Sequence, residues 1–248
     1  MKMTKGIKAL LALAFGLVLA GCGEKGDTLK MITEATFPPY EFLRGQEIVG
    51  IDIEICRKVA EALDRPFQAE TVDFDSVIPA VISGKADLAA AGITVTEDRK
   101  KNVDFSIPYV TTGILVVYKK SNPFVSVDQL KGKRIGVQSG TTSETYVLEQ
   151  LKQEPERSRS PAEAVAGLKS GRCDFVIADI NPAKNCVKGE PDLALSEPIT
   201  SEDYAVAIRK GQPELLTAIN SVITELKENG QLAKWIEEYT KEADALKE

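Results

Sequence analysis

Two short stretches of this chain carry residue types suited to holding an anion. The first is Ala89 to Arg99, AAAGITVTEDR, which reads as the end of a buried strand, a glycine turn and the first turn of a helix. Thr94 and Glu97 fit the S/T-x-x-E box that starts helices. A helix start leaves backbone N–H groups unpaired and carries a partial positive charge. Arg99 lies in that turn and can fork onto a carboxylate through two parallel hydrogen bonds. Gly92 lets a ligand approach the backbone closely. Alone, the stretch reads equally as a capped helix with a surface arginine. The second stretch, Gln138 to Glu144 (QSGTTSE), repeats the design and places Thr142 at another helix start. Asp179, at the end of the apolar run CDFVIAD, supplies a carboxylate for a cation or a cap for the helix that follows. The chain has no histidine, which excludes Ser-His-Asp and Cys-His catalysis and imidazole metal sites.

The elements that must position these residues alternate between strand and helix, the pattern of a parallel α/β sheet. Strands are expected at Leu29 to Thr33, Phe67 to Val72 and Asp87 to Ala91. Helices are expected at Asp52 to Leu63, with Ile55, Val59 and Leu63 on one face, and at Ser76 to Ser83, capped by Asp75. A second series follows: a short helix from Ser126, a strand Arg134 to Val137, and a helix capped by Thr141-x-x-Glu144. Next come a helix opened by Ser160-Pro161-Ala162-Glu163 and closed by Gly171, and a strand Cys173 to Ala178. Two more helices, Gln212 to Glu228 and Gln231 to Glu242, end the chain. Two extended runs, about 112–119 and 203–208, bracket the middle series and read as crossovers. The expected division is lobe one at 28–112 plus 207–248 and lobe two at 117–203. The loops Glu34 to Phe37, Gly92 to Arg99, Gln138 to Thr142 and Asp179 to Asn181 then sit beyond strand carboxyl ends, where open α/β sheets bind ligands.

The N-terminus reads as a targeting segment. Lys2, Lys5 and Lys8 precede an apolar run, Ala9 to Leu19, that is too short for a permanent span. It ends in Leu19-Ala20-Gly21-Cys22, which resembles the lipobox of bacterial lipoproteins, cut before the cysteine that receives lipid. Residues 1–21 are therefore expected to be a signal peptide, and 22–27 a lipid-anchored tether. Three of the 31 basic residues lie in the signal, leaving 28 against 37 acidic side chains in the body. Such an acidic body argues against nucleic acid as a partner. Cys173 and Cys186 fall at the same end of a strand–helix pair and can be either bridged or free thiols; Cys56 reads as core.

The order ATFPPYEF, IVGIDIEI, DFDSVIPAVISGKADLAAAGITVTEDRKKNVDFS, LKGKRIGVQSGTTSE and DFVIAD resembles the extracellular amino-acid-binding proteins of ABC transporters, the polar amino-acid group. The resemblance covers nearly the whole mature chain. It implies the type II periplasmic-binding-protein fold: two lobes, each a parallel-type sheet with helices on both faces, joined by two hinge crossovers. It implies roles by position. Thr94 and Arg99, with backbone N–H groups near Thr94 and Thr142, hold the ligand α-carboxylate. Asp179 takes the α-ammonium, and Phe37 and Phe74 sandwich the side chain. From the residues alone, Phe37 and Phe74 are equally core and Thr142 equally a cap.

Glu34 stands where the family touches the ligand side chain, and Gln138 stands where glutamine binders of the family can set a lysine opposite that acid. Without such a lysine, a buried Glu34 is best met by a cationic side chain. The expected ligand is arginine or lysine, with glutamine next. The expected protein is a monomeric, lipid-anchored receptor at the outer face of the plasma membrane or in the periplasm of a two-membrane bacterium. It hands its amino acid to a membrane permease, and ATP use lies in a partner because the chain has no P-loop. No metal, cofactor or enzymatic activity is expected. The rival reading is a dehydratase of the same fold acting on a cyclic carboxylate, with Glu34 as the one obvious candidate for its general acid.

Overall fold

The computed structural model describes residues 27–245. The expected signal peptide, residues 1–21, and Cys22 lie outside the described residues. Two five-stranded sheets form the frame. The first runs, in spatial order, Phe67–Thr71, Leu29–Thr33, Leu88–Ala89, Ala207–Arg209 and Val103–Phe105. Its first three strands are parallel, and Ala207–Arg209 enters antiparallel between Leu88–Ala89 and Val103–Phe105. The second runs Glu156–Ser158, Ile135–Gln138, Phe175–Asp179, Ile114–Lys119 and Leu193–Leu195. Its first three strands are again parallel, and the last two are antiparallel to their neighbours.

Helices cover both faces of each sheet, so the central strands Ile135–Gln138, Phe175–Asp179 and Ile114–Lys119 read as mostly buried runs, while the edge strands Phe67–Thr71 and Glu156–Ser158 are polar and largely exposed. On the first sheet, Ile51–Ala62, Pro213–Glu228 and Gln231–Ala245 bury Ile55, Val59, Ile219 and Trp235 on one side. The helix Val77–Ile82 buries Val77 and Val81 on the other. On the second sheet, Pro161–Ser170 and Ile180–Val187 pack against one face and Thr142–Glu149 against the other. Each fully buried aliphatic side chain contributes about 1.5–3 kcal/mol of transfer free energy, and four such clusters hold the two lobes independently.

The connection between the sheets differs from the expected long crossovers. A two-stranded ribbon of Val110–Thr112 and Glu202–Tyr204 joins them. Most of the expected 112–119 crossover is the strand Ile114–Lys119 of the second sheet, and Ala207–Arg209 belongs to the first. A long apolar run looks the same whether it passes between lobes or is buried in one. Two caps also differ. The cap of Glu97–Lys100 is Thr96, whose hydroxyl accepts from Arg99 N–H, and not Thr94, because Thr94 is held in a β-bridge to Tyr204. Asp75 caps nothing; it sits inside the 3-10 turn Phe74–Ser76. Thr141 and Ser160 cap their helices as expected, and Gly171 ends the second in a left-handed conformation. The described residues contain no disulfide; Cys56 and Cys173 are buried and Cys186 is half-buried. Among the described residues no helix is long and apolar enough to cross a membrane.

Candidate functional site

The carboxyl ends of the parallel strands in both sheets point toward one cleft. Leu29–Thr33 delivers Glu34 and Phe37, and Leu88–Ala89 delivers Gly92, Thr94 and Arg99. From the second sheet, Ile135–Gln138 delivers Gln138, Thr141 and Thr142, and Phe175–Asp179 ends on Asp179 itself. Phe74 and eight of these residues line the same space, and Glu34 reaches it through Gln138. The lobes meet directly here, leaving about 10 Å³, room for roughly one water.

Arg99 marks the end of the cleft suited to an anion. Its Nη1 donates to the Thr94 carbonyl at 2.8 Å and its Nη2 to the Gly140 carbonyl of the other lobe at 2.9 Å. The guanidinium stacks over Phe74, 5.6 Å from the ring centroid. Burial lowers its pKa, while Asp179 and Glu202 oppose the shift; guanidinium remains charged throughout the working range. The start of the helix Thr142–Glu149 faces the same point, adding backbone donors to the charge.

Asp179 marks the opposite charge. Burial first, and Glu202 second, push its pKa up to about 7, against the stabilising effects of Tyr204 and Arg99. The Tyr204 hydroxyl donates to Asp179 Oδ1. Although Asp179 stands at the start of Ile180–Val187, its side chain makes no capping hydrogen bond. The carboxylate therefore points into the cleft and not back along its own helix.

Glu34 is 5% exposed. The Gln138 amide nitrogen lies 2.9 Å from both of its carboxylate oxygens. Burial raises its pKa, Gln138 and Thr36 lower it, and Asp73 and Asp75 raise it further. None of these groups is a cation. Phe37 packs against Tyr40 and Tyr204, with centroids 5.6 and 6.1 Å away. Gly92 has φ +54°, and a Cβ there would stand 2.5 Å from Phe37 Cε1. Gly92→Ala thus strains the backbone and displaces Phe37 together. It is expected to weaken ligand binding by about tenfold or more, which titration calorimetry on the variant would measure.

Sequence reasoning missed the groups on the ribbon. Glu202 Oε2 accepts from Thr94 Oγ1 of one lobe at 2.7 Å and from Thr142 Oγ1 of the other at 2.9 Å. Tyr204, beside it, holds Asp179. Two further contacts span the lobes: Asn181 donates to the Tyr40 hydroxyl at 3.1 Å, and Asn185 to the Pro38 carbonyl at 2.8 Å. The usable signal was positional. A ribbon between two lobes forms the floor of their cleft, so its inward side chains, Glu202 and Tyr204, face that cleft while Thr111 and Asp203 pair on the outside.

Residues 29–242, nearly the whole described chain, match the bacterial extracellular solute-binding proteins, family 3. The chain belongs to this family. Like other solute-binding proteins of family 3, it has solved relatives that share its two-lobe architecture. An ancestral arginine-binding protein bound to arginine is 40% identical, with a TM-score of 0.80 over 87% of this chain and 99% of that one. An ancestral arginine-binding protein bound to glutamine is 41% identical, with a TM-score of 0.79 over 86% and 97%. The arginine-binding extracellular protein ArtP of Bacillus subtilis is 32% identical over 249 residues, 94% of this chain and 96% of that protein.

Proposed function

We propose that this protein is a lipid-anchored receptor that closes its two lobes on one free amino acid and delivers it to the permease of an ATP-driven transporter. Lobe one is built on the first sheet and lobe two on the second, which begins at Ile114, with the ribbon between them and Cys22 carrying the lipid. Arg99 and the helix start at Thr142 take the α-carboxylate, and Asp179 takes the α-ammonium. Thr94 stands with Arg99 at the carboxylate, Phe37 and Phe74 flank the side chain, and Gly92 lets the ligand approach the backbone. Ligand touching both lobes stabilises the closed arrangement by its differential affinity.

The observation that carries the ligand class is the charge count. Glu34 and Glu202 are both buried carboxylates beside the cleft, beyond the Arg99 and Asp179 pair that a zwitterion satisfies. A buried negative charge without a partner is costly, so a cationic side chain is preferred: arginine or lysine. Glutamine is second, because the Gln138 amide already meets Glu34 and because a relative is described as bound to glutamine.

A thermal-shift screen against the twenty amino acids tests this. At a hundredfold excess over Kd, arginine or lysine should raise the melting temperature by roughly 5–10 °C. Glu34→Gln should weaken arginine and lysine at least about tenfold more than glutamine. Equal losses would put Glu34 outside the side-chain pocket, and no shift with any amino acid would remove the receptor reading.

A further inference from the structure

Behind the cleft lies a pair of acids that the ligand does not reach. Glu41 and Asp52 are both fully buried, at 0% exposure. Asp52 Oδ2 accepts from Gly92 N–H at 2.9 Å and from the Tyr109 hydroxyl at 2.8 Å. Asp52 Oδ1 and both oxygens of Glu41 have no protein donor among the described residues. The two carboxyl groups lie within hydrogen-bond reach of each other. Backbone geometry forces this proximity. Gly50 has φ +132°, and a Cβ there would stand 2.1 Å from the Tyr40 carbonyl. The segment before Glu41 thus lies on the start of the helix, with Asp52 N–H donating to Tyr40 O at 3.0 Å.

We propose that Glu41 and Asp52 share one proton and act as positioning residues, holding the Gly92 turn and Tyr109 in the geometry that ligand capture needs. Two ionised carboxylates in an apolar enclosure repel each other and lose hydration, so one of them keeps its proton. Asp52 is the ionised member, because it accepts from two donors; Glu41 carries the proton and donates it to Asp52 Oδ1. The groups acting on the pair are Glu34 and Tyr40 from the preceding segment, Cys56 from the same helix, Tyr109 from the approach to the ribbon, and Asp179 from the other lobe. None is a cation. No group of three or more His, Cys, Asp or Glu residues able to hold a metal ion occurs among the described residues.

The pair connects to function at both ends. Gly92 begins the turn that carries Thr94 and Arg99, and Tyr109 precedes the ribbon strand Val110–Thr112. Loss of the shared proton leaves two charges behind that turn and pushes it out of register. Burial raises the carboxyl pKa of both residues, Asp52 to about 6 and Glu41 well above the usual carboxylate range. The sign follows: their contribution to stability is full below about pH 4, where the unfolded carboxyls are protonated, and is lost as pH rises through the folded values.

The decisive experiment compares the full chain with its Glu41→Gln and Asp52→Asn variants from about pH 5 to about pH 9. The first readout, without ligand, is the melting temperature with pH and the infrared C=O band of a protonated carboxyl. The amide introduced by E41Q donates permanently to Asp52 Oδ1, so this variant should remain folded and lose the part of that band and of the decline in melting temperature that persists at the alkaline end, where Asp179, raised to about 7, has already ionised. D52N should retain the fold and move that decline to lower pH, because the Asp52 charge that raises the Glu41 carboxyl is gone while its burial remains. The second readout, which rests on the receptor reading, is arginine affinity. E41Q should bind within about threefold of the native protein at neutral pH and exceed it by about tenfold at the alkaline end. Identical infrared bands and melting profiles in E41Q and the native protein would overturn the shared proton. A changed melting profile with no arginine binding by either protein would overturn the receptor reading instead.

Discussion

Arg99→Ala is expected to weaken binding of every α-amino acid by two to three orders of magnitude, about 3–4 kcal/mol. The reason lies in how the guanidinium is held. Two of its five N–H donors are used on the Thr94 and Gly140 carbonyls, and its face rests on Phe74. Within its own lobe the Thr94 carbonyl and the Phe74 ring set the plane, the Gly140 carbonyl adds to it when the lobes meet, and the remaining donors form the fork that a carboxylate matches. Lysine at this position keeps the charge but not the plane or the fork, so Arg99→Lys should recover only part of the loss. Titration calorimetry with arginine, lysine and glutamine measures both variants. Undiminished binding by Arg99→Ala would remove the carboxylate from this end of the cleft.

The second large effect is on pH. Asp179 has its pKa pushed up to about 7 by burial and by Glu202, yet an ammonium is bound by the ionised carboxylate. Affinity for arginine should therefore fall by about tenfold per pH unit below 7, reaching about a hundredfold at pH 5. The stability of the unliganded protein has the opposite sign. A carboxyl whose folded pKa is raised contributes most below about pH 4 and loses that contribution as pH rises through about 7. Acid thus favours the unliganded fold and disfavours capture. Asp179→Asn should flatten the acid side of the binding profile and lower affinity at neutral pH by about a hundredfold. A profile unchanged in that variant would mean that another group takes the ammonium.

Much of this arrangement is legible in the sequence because it rests on short-range rules. The alternation of apolar runs and amphipathic helices locates the strands that carry Glu34, Gly92, Gln138 and Asp179 to one edge. Thr141 and Ser160 stand out because a capping box is local. Thr94 reads wrongly as a cap because its competitor, the bridge to Tyr204, is distant in sequence. Glu202 gives no local signal, since an acid in a short ribbon looks like any surface residue. The pair behind the cleft is hidden for a related reason. An acid at a helix start is favoured by the dipole alone, so Asp52 demands no partner until Glu41 is seen against it.

One feature of the first sheet governs how the chain comes together in time. Ala207–Arg209 is wedged between Leu88–Ala89 and Val103–Phe105, so the sheet that starts the chain is completed by a strand from near its end. The second sheet is drawn from one uninterrupted stretch between Ile114 and Leu195. Synthesis from the amino end therefore lets the later lobe finish first. The earlier lobe waits with its middle open, since the loop that must close runs from Ala89 to Ala207, nearly half of the chain. Until that last strand emerges, the first sheet is incomplete and the cleft, which needs both lobes, does not exist.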